Sequence, residues 1–257
     1  MKIAMTLSFA ARTILEKAAV DNGFSLDQGV SGDWLIFKAH AAPASLCLTV
    51  TEDGYAIGTD HGGVARELDA EFASLPNAPQ CFHAWAARES RMLDYIAGTV
   101  WRLARSLPDE PLRQFKRRLA EVPAATEVER LRKERIGQDL FREALMLFWD
   151  GTCAVTDMNH PRLLRASHIV PWSECDSDAE RLDVHNGLLL AAHLDAAFDA
   201  HLISFNADGQ ILLSSELSES DAVALGIGRE MRLRRVDPET ERRLVIHRMK
   251  TLQEHDR

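Results

Sequence analysis

Two runs, LLRASHIVPW at residues 163–172 and HNGLLLAAHLDAAFD at residues 185–199, decide how the second half of this chain folds. The first is a short apolar run that closes on Ser167, His168 and Ile169. Pro171 then stops it, because a residue without a backbone N–H continues neither a strand ladder nor a helix. The run reads as a strand that delivers one imidazole to its end. A polar loop with Glu174, Asp176, Asp178 and Arg181 follows. Gly187 to Leu190 reads as a second short strand, and Ala191 to Ala200 is rich in helix formers. The unit is strand, loop, strand, helix.

In this order and at this spacing the segment resembles the ββα-metal nuclease module called HNH, in a restriction-endonuclease-like variant with SHIxPW and NGLLL…D…FD halves. The resemblance implies a DNA endonuclease in which His168 is the general base that takes a proton from the attacking water. A neutral imidazole suits that work, since its ordinary pKa lies near the operating pH. It also implies that Asn186 orients the histidine by holding the loop, for which an amide offers both donors and an acceptor. Asp195, nine residues on from Asn186, falls where the family places a metal ligand, and a carboxylate suits a hard cation such as Mg²⁺ or Mn²⁺. The position before the base is commonly an aspartate ligand in the family, and here it is Ser167. The expected cation site is therefore Asp195 with waters and substrate phosphate, helped by Ser167, His193 or Asp199. Many such modules carry two Cys-x-x-Cys pairs. Here the position three after Cys153 is Thr156, and Ala191 and Leu194 stand at the second pair, so no structural zinc is expected.

Each residue also has an ordinary reading. A lone histidine at a strand end is most often a satisfied structural group. Asp195 near a helix start complements the dipole, and Asp199 serves equally as a solvated carboxylate or a salt-bridge partner. Arg165 shares a strand face with Ser167 and opposes His168, open to an ion pair or a phosphate contact.

Composition sets the outer bounds. With 257 residues, 46% hydrophobic and 27% charged, the chain is globular and long enough for two ordinary domains. No apolar run reaches the length of a membrane span, and the opening MKIAMTLSFAARTILEKAA is too charged for a secretory signal, so a cytoplasmic location is expected. Four cysteines without regular spacing, Cys47, Cys81, Cys153 and Cys175, fit reduced thiols. The net charge of −9 argues against a general nucleic-acid coat protein but leaves local contact open. Positive charge gathers at Arg113 to Arg118, at Arg130, Arg132, Lys133 and Arg135, and at Arg229, Arg232, Arg234, Arg235, Arg242 and Arg243. Such runs are either solvated helix faces or backbone contacts to DNA. The helix bearing Arg130, Lys133 and Arg135 is the one expected to flank DNA.

Upstream, Leu7 to Val20 has a helical apolar rhythm. Trp34 to Phe37, Leu46 to Val50 and Tyr55 to Gly58 read as three strands of a meander. Helices are expected from about Gly63 to Ser74 and from about Ala84 to Ser106. The first 107 residues are thus an α+β domain with a small antiparallel sheet, a candidate for target recognition. Trp34, Tyr55, Phe82 and Trp85 are open to stacking on a flipped base or to core packing. Residues 108–150 read as a charged helical connector, broken at Pro123-Ala124-Ala125, with Thr126 capping the second helix and Glu129 three residues on. Residues 151–257 form the nuclease domain. After its motif come a hairpin around Asn206-Ala207-Asp208-Gly209 and a last helix from Pro238 to about Glu254. The expectation for the whole chain is α+β, with DNA as partner, no membrane, and a homodimer as the simplest way to cut both strands.

Overall fold

The computed structural model describes residues 7–120 and 127–252, and for residues 127–130 the backbone only. The break at Pro123 to Ala125 and the Thr126 cap lie outside the described residues. The chain is α+β and divides into two compact units, residues 1–107 and 108–257.

The first unit begins with α1 (Phe9–Asp21), capped by Ser8, whose hydroxyl accepts the Ala11 N–H at 3.2 Å. Six strands follow as one antiparallel sheet: β1 (Leu26–Ser31), β2 (Trp34–Lys38), β3 (Ser45–Thr51), β4 (Gly54–Thr59), β5 (Ser74–Leu75) and β6 (His83–Ala87). Their spatial order is β1-β2-β3-β4-β6-β5. Helix α2 (Gly62–Asp69) connects β4 to β5, and α3 (Ser90–Ser106) follows β6. The three meander strands stand where their β-branched and aromatic alternation put them.

Three departures have physical causes. Strand β1 is exposed along its whole length, Leu26 and Val30 included, so no burial period marks it; it exists by pairing with β2 across the Gly32 turn, where φ is +60°. The helix expected from Ala84 starts at Ser90 instead. Residues 83–87 pair with β4, setting Trp85 opposite Ile57, and tertiary pairing overrides the helix propensity of the alanines. The helix expected to reach Ser74 ends at Asp69, whose carboxylate accepts from Ser74 and from the Trp85 indole at 2.9 Å. Trp34 and Trp85 are buried core, which removes both from the list of stacking candidates, whereas Tyr55 and Phe82 are half-buried.

The second unit opens with α4 (Asp109–Leu119) and α5 (Glu127–Phe148), so the helices expected as a connector belong to the same unit as the motif. Strand β7 (Leu164–His168), the short α6 (Asp178–Arg181), β8 (Gly187–Ala191) and α7 (Ala192–Asp199) come next. A hairpin, β9 (Ile203–Phe205) with β10 (Ile211–Leu213), then α8 (Glu219–Ala224) and α9 (Pro238–Leu252) complete it. β7 and β8 are antiparallel, with His168 opposite Gly187 and Ser167 opposite Leu188. β8 is buried at every position, packed between α5 and α7, which is why its leucines run without alternation. Gly187 is required by close approach: a Cβ there would lie 2.4 Å from Phe141 Cζ and 2.9 Å from Leu145 Cδ1. Among the described residues no helix is long and apolar enough to cross a membrane.

Candidate active site

Successive strand residues face opposite ways, and β7 uses this to serve two neighbours. Ser167, almost wholly buried, turns toward α7, where its hydroxyl donates to Asp195 Oδ1. His168 turns toward α5 and stacks on Phe141, with ring centroids 3.8 Å apart and planes 16° from parallel. Trp172 meets the same imidazole edge-on at 5.7 Å. The apolar walls leave the ring few orientations.

A single hydrogen bond selects among them. His168 Nε2 lies 2.9 Å from the Arg181 carbonyl oxygen. A carbonyl only accepts, so Nε2 must carry the hydrogen, and the neutral ring keeps its lone pair on Nδ1. Burial pushes the imidazole pKa below its ordinary value, and the bond to the Arg181 carbonyl offsets only part of that. The group is therefore a neutral, oriented base at neutral pH.

Asn186 makes that carbonyl available. Fully buried, its Oδ1 accepts the Val170 N–H at 2.9 Å, while Nδ2 donates to the carbonyls of Val170 and Glu180 at 3.2 and 3.3 Å and approaches Cys175 Sγ at 3.3 Å. Its own carbonyl accepts from Ile169 at 3.0 Å. One amide thus ties both ends of the loop between β7 and α6. Arg181 ties the middle, donating to the Trp172 and Cys175 carbonyls at 3.1 and 2.6 Å and to Asp178 at 3.2 Å.

Asp195 stands in the first turn of α7 beside Ser167, and Asp199 one turn later is exposed. Though its side chain reaches solvent, partial desolvation and then the charge of Asp195 raise the Asp199 pKa above its ordinary value. Two carboxylates and a hydroxyl are hard oxygens, of the kind that could hold a Mg²⁺-like cation keeping most of its waters. Among the described residues no group of three or more His, Cys, Asp or Glu side chains is arranged to hold a metal. His193 is half-buried on α7. Cys153 accepts N–H groups from Ala191 at 3.3 Å and from Val155 and Thr156 at 3.4 Å, so its sulfur is enclosed by backbone donors.

The basic residues fare differently from one another. Arg165 donates to the carbonyls of Arg162 and Leu164, both at 3.1 Å, and its recorded partners are these rather than a carboxylate. Lys133 lies 3.0 Å from Asp178 Oδ2, which neutralises it. Arg135 is exposed on α5, and the side chain of Arg130 lies outside the described residues.

Three residues to which the sequence reading gave no role shape the site: Phe141, which it did not name, Arg181 of the polar loop, and Trp172 at the end of the SHIVPW run. The signal for two of them was glycine. A Cβ on Gly187 would strike Phe141, and one on Gly137 would lie 2.2 Å from the Trp172 ring. Further support comes from α9. His185, next to Asn186, pairs with Asp237 at 3.1 Å. Burial alone would raise the Asp237 carboxyl, but His185 and the Thr240 N–H and hydroxyl outweigh it and hold the pKa at about 2. Arg243 reaches Asp183 at 2.6 Å.

Compared with protein families, residues 153–206 match the model described as HNH endonuclease, HNH_2. The match runs from Cys153 through both strands and α7 to the hairpin. No curated protein matches the chain.

Proposed function

Because residues 153–206 match the family model described as HNH endonuclease, we propose that the protein hydrolyses DNA phosphodiester bonds with a divalent cation and serves as a restriction enzyme. The observation that carries this reading is the Nε2 bond of His168 to the Arg181 carbonyl, which leaves Nδ1 as a free acceptor on a neutral ring. Nδ1 takes the proton of a water as its oxygen bonds to phosphorus and the bond to the 3′ oxygen breaks, giving 5′-phosphate and 3′-hydroxyl ends. Asn186 and Arg181 hold the loop that holds the base. Asp195, with Ser167 and Asp199, is the donor set for one Mg²⁺ or Mn²⁺. When bound, that ion would neutralise charge growing on the phosphate and the departing oxygen. One such module cuts one strand, so a homodimer accounts for a double-strand break. The first unit is assigned target recognition, including recognition of modified bases.

One observation favours a second reading, a DNA-binding module that does not cut. Ser167 replaces a carboxylate and its hydroxyl is satisfied by Asp195. Supercoiled plasmid, unmodified, cytosine-methylated or hydroxymethylated, incubated in Mg²⁺, Mn²⁺ or EDTA, decides between them. Metal-dependent cutting that His168→Ala abolishes while the fold is retained supports the nuclease. Binding without cutting in any metal supports the alternative.

A further inference from the structure

The arginines near the end of the chain are alike in sequence but not in the structure. Arg242, Arg243 and Arg248 each meet a carboxylate, those of Glu239, Asp183 and Glu241, so their charge is neutralised within the fold. Arg232 and Arg234 meet carbonyl oxygens instead. Arg232 donates to Asp208 O at 2.8 Å, and Arg234 to Trp149 O and Thr152 O at 3.3 and 2.9 Å, all through Nη2. A carbonyl fixes a guanidinium without cancelling its charge. Nε and Nη1 of both residues keep their donors.

The backbone carrying them is also fixed. Met231 O accepts from Ile211 at 3.0 Å, Leu233 N–H donates to Gly209 O at 2.8 Å, and Arg234 N–H donates to Ala154 O at 2.9 Å. This extended segment lies along the β9–β10 hairpin, with Arg232 bridged to Gln210. Leu233 is buried and Arg235 lies over the Phe148 ring at 3.7 Å, while Arg232 and Arg234, two residues apart, are both exposed. Their Cα atoms are about 7 Å apart, two residues along an extended chain. That is comparable with the step between successive phosphates of a nucleic-acid strand. A groove of about 690 Å³ runs beside them, lined by Asp208 and Glu230 as well as the arginines. The Glu230 carboxylate lies against Gly228, and the hydrogen bonds of both guanidinium groups go to carbonyl oxygens.

We propose that Arg232 and Arg234, with the groove along residues 229–236, bind the phosphate backbone of the DNA that the module cuts. This rests on the nuclease reading and adds to it the surface that receives the substrate. Such a contact is blind to sequence and strongly salt-dependent, because each phosphate neutralised releases condensed counterions.

The test uses the full chain in EDTA with a fluorescent duplex, its affinity followed by anisotropy from 50 to 200 mM KCl, and plasmid cleavage in Mg²⁺ alongside. Arg232→Gln should flatten the slope of log affinity against log salt by about 1, and Arg232→Gln with Arg234→Gln by about 2. The loss of affinity over that salt range then shrinks by roughly fourfold for each arginine. Lysine at both positions should keep the wild-type slope, and so should Arg242→Gln, whose guanidinium is already paired. Arg232→Gln removes one surface hydrogen bond, and thermal unfolding confirms that the variant is folded. A folded double variant with an unchanged slope, from a protein whose wild type still cuts plasmid, overturns the proposal and leaves the nuclease standing. An equal flattening by Arg242→Gln also overturns it. A wild type that neither binds nor cuts DNA removes the nuclease reading and this proposal with it.

Discussion

Acidification from pH 7 to pH 4 should destabilise the second unit, residues 108–257, through one buried side chain, His247 of α9. Its ring lies flat on Phe198 of α7, with centroids 3.8 Å apart and planes 4° from parallel. Nε2 lies 3.1 Å from both the Phe198 carbonyl and His201 Nδ1, and Nδ1 lies 3.0 Å from the Ser204 hydroxyl. Burial first, then the nearby His201 and Lys250, push its pKa down to about 4, against the partial relief of the Phe198 carbonyl. His201 is itself lowered, by burial and by Lys250, with Glu174 acting the other way. The unfolded chain takes up the proton near pH 6.5 and the folded one only near 4, so stability is full above 6.5 and falls as pH drops through that window. A separation of 2.5 pKa units corresponds to about 3 kcal/mol at pH 4, taking about 1.4 kcal/mol per unit. His247→Gln retains an amide for Ser204 but does not titrate. Its stability at pH 7 is lower, so the quantity to compare is the change with pH, from urea unfolding at intervals between pH 7 and 4. The wild type should lose about 3 kcal/mol more than the variant over the window. Identical pH dependence in the two proteins would show that this histidine is not the buried neutral group described here.

Three more outcomes can be checked. Gly187→Ala should cost about 1–3 kcal/mol through overpacking and, by displacing Phe141 from the His168 ring, lower kcat; a variant with wild-type stability and cleavage would contradict the close approach at this position. Asn186→Ala leaves the Val170 N–H and two carbonyls without their partner, an expected loss of about 2–4 kcal/mol with slowed cleavage, measured by urea unfolding and plasmid nicking; an effect under 1 kcal/mol would mean that the loop is held some other way. Ser167→Asp sets a carboxylate against Asp195 in a buried pocket, so the variant should melt lower than wild type in EDTA and recover in Mg²⁺, and a melting temperature indifferent to Mg²⁺ would count against these oxygens as the cation site.

The α+β class and the module core were legible for a physical reason: local signals and tertiary outcome agree there. Pro171 ends one strand, Gly187 opens the next, and the alanines after Leu190 favour helix where the structure forms α7. The sequence was silent where pairing, rather than propensity, decides. Residues 83–87 carry three alanines and look helical, yet the sheet takes them because Trp85 is buried opposite Ile57 with its indole donating to Asp69. Strand β1 has no buried face to give it a period. The supports of the site are hidden for another reason, since Phe141, Arg181 and His247 act across sequence gaps of 27, 13 and 49 residues on His168, His168 and Phe198. No motif spacing reports such contacts, and only the glycines at 137 and 187 leave a trace of the rings that crowd them.

The choice of partner for His168 has a chemical consequence. A carboxylate against Nε2 would orient the ring equally well, but it would stabilise the imidazolium and raise the pKa, so that more of the base would be protonated near neutral pH. The Arg181 carbonyl fixes the same tautomer with a dipole rather than a charge, and burial against Phe141 outweighs its small upward pull. The acids nearby are kept from the ring by the same construction: Asp178 is paired with Lys133 and Arg181, and Asp195 faces Ser167 on the far side of the strand. The fold therefore keeps its anionic groups on the α7 face of β7 and neutral groups on the α5 face, the division that the proposed cation site and proposed base each require. This division follows from the alternation of a single strand, Ser167 to one side and His168 to the other. Inserting one residue ahead of Ser167 would exchange the two faces and put the imidazole among the carboxylates, so the register of β7 against β8 is as much a part of the chemistry as the residues themselves.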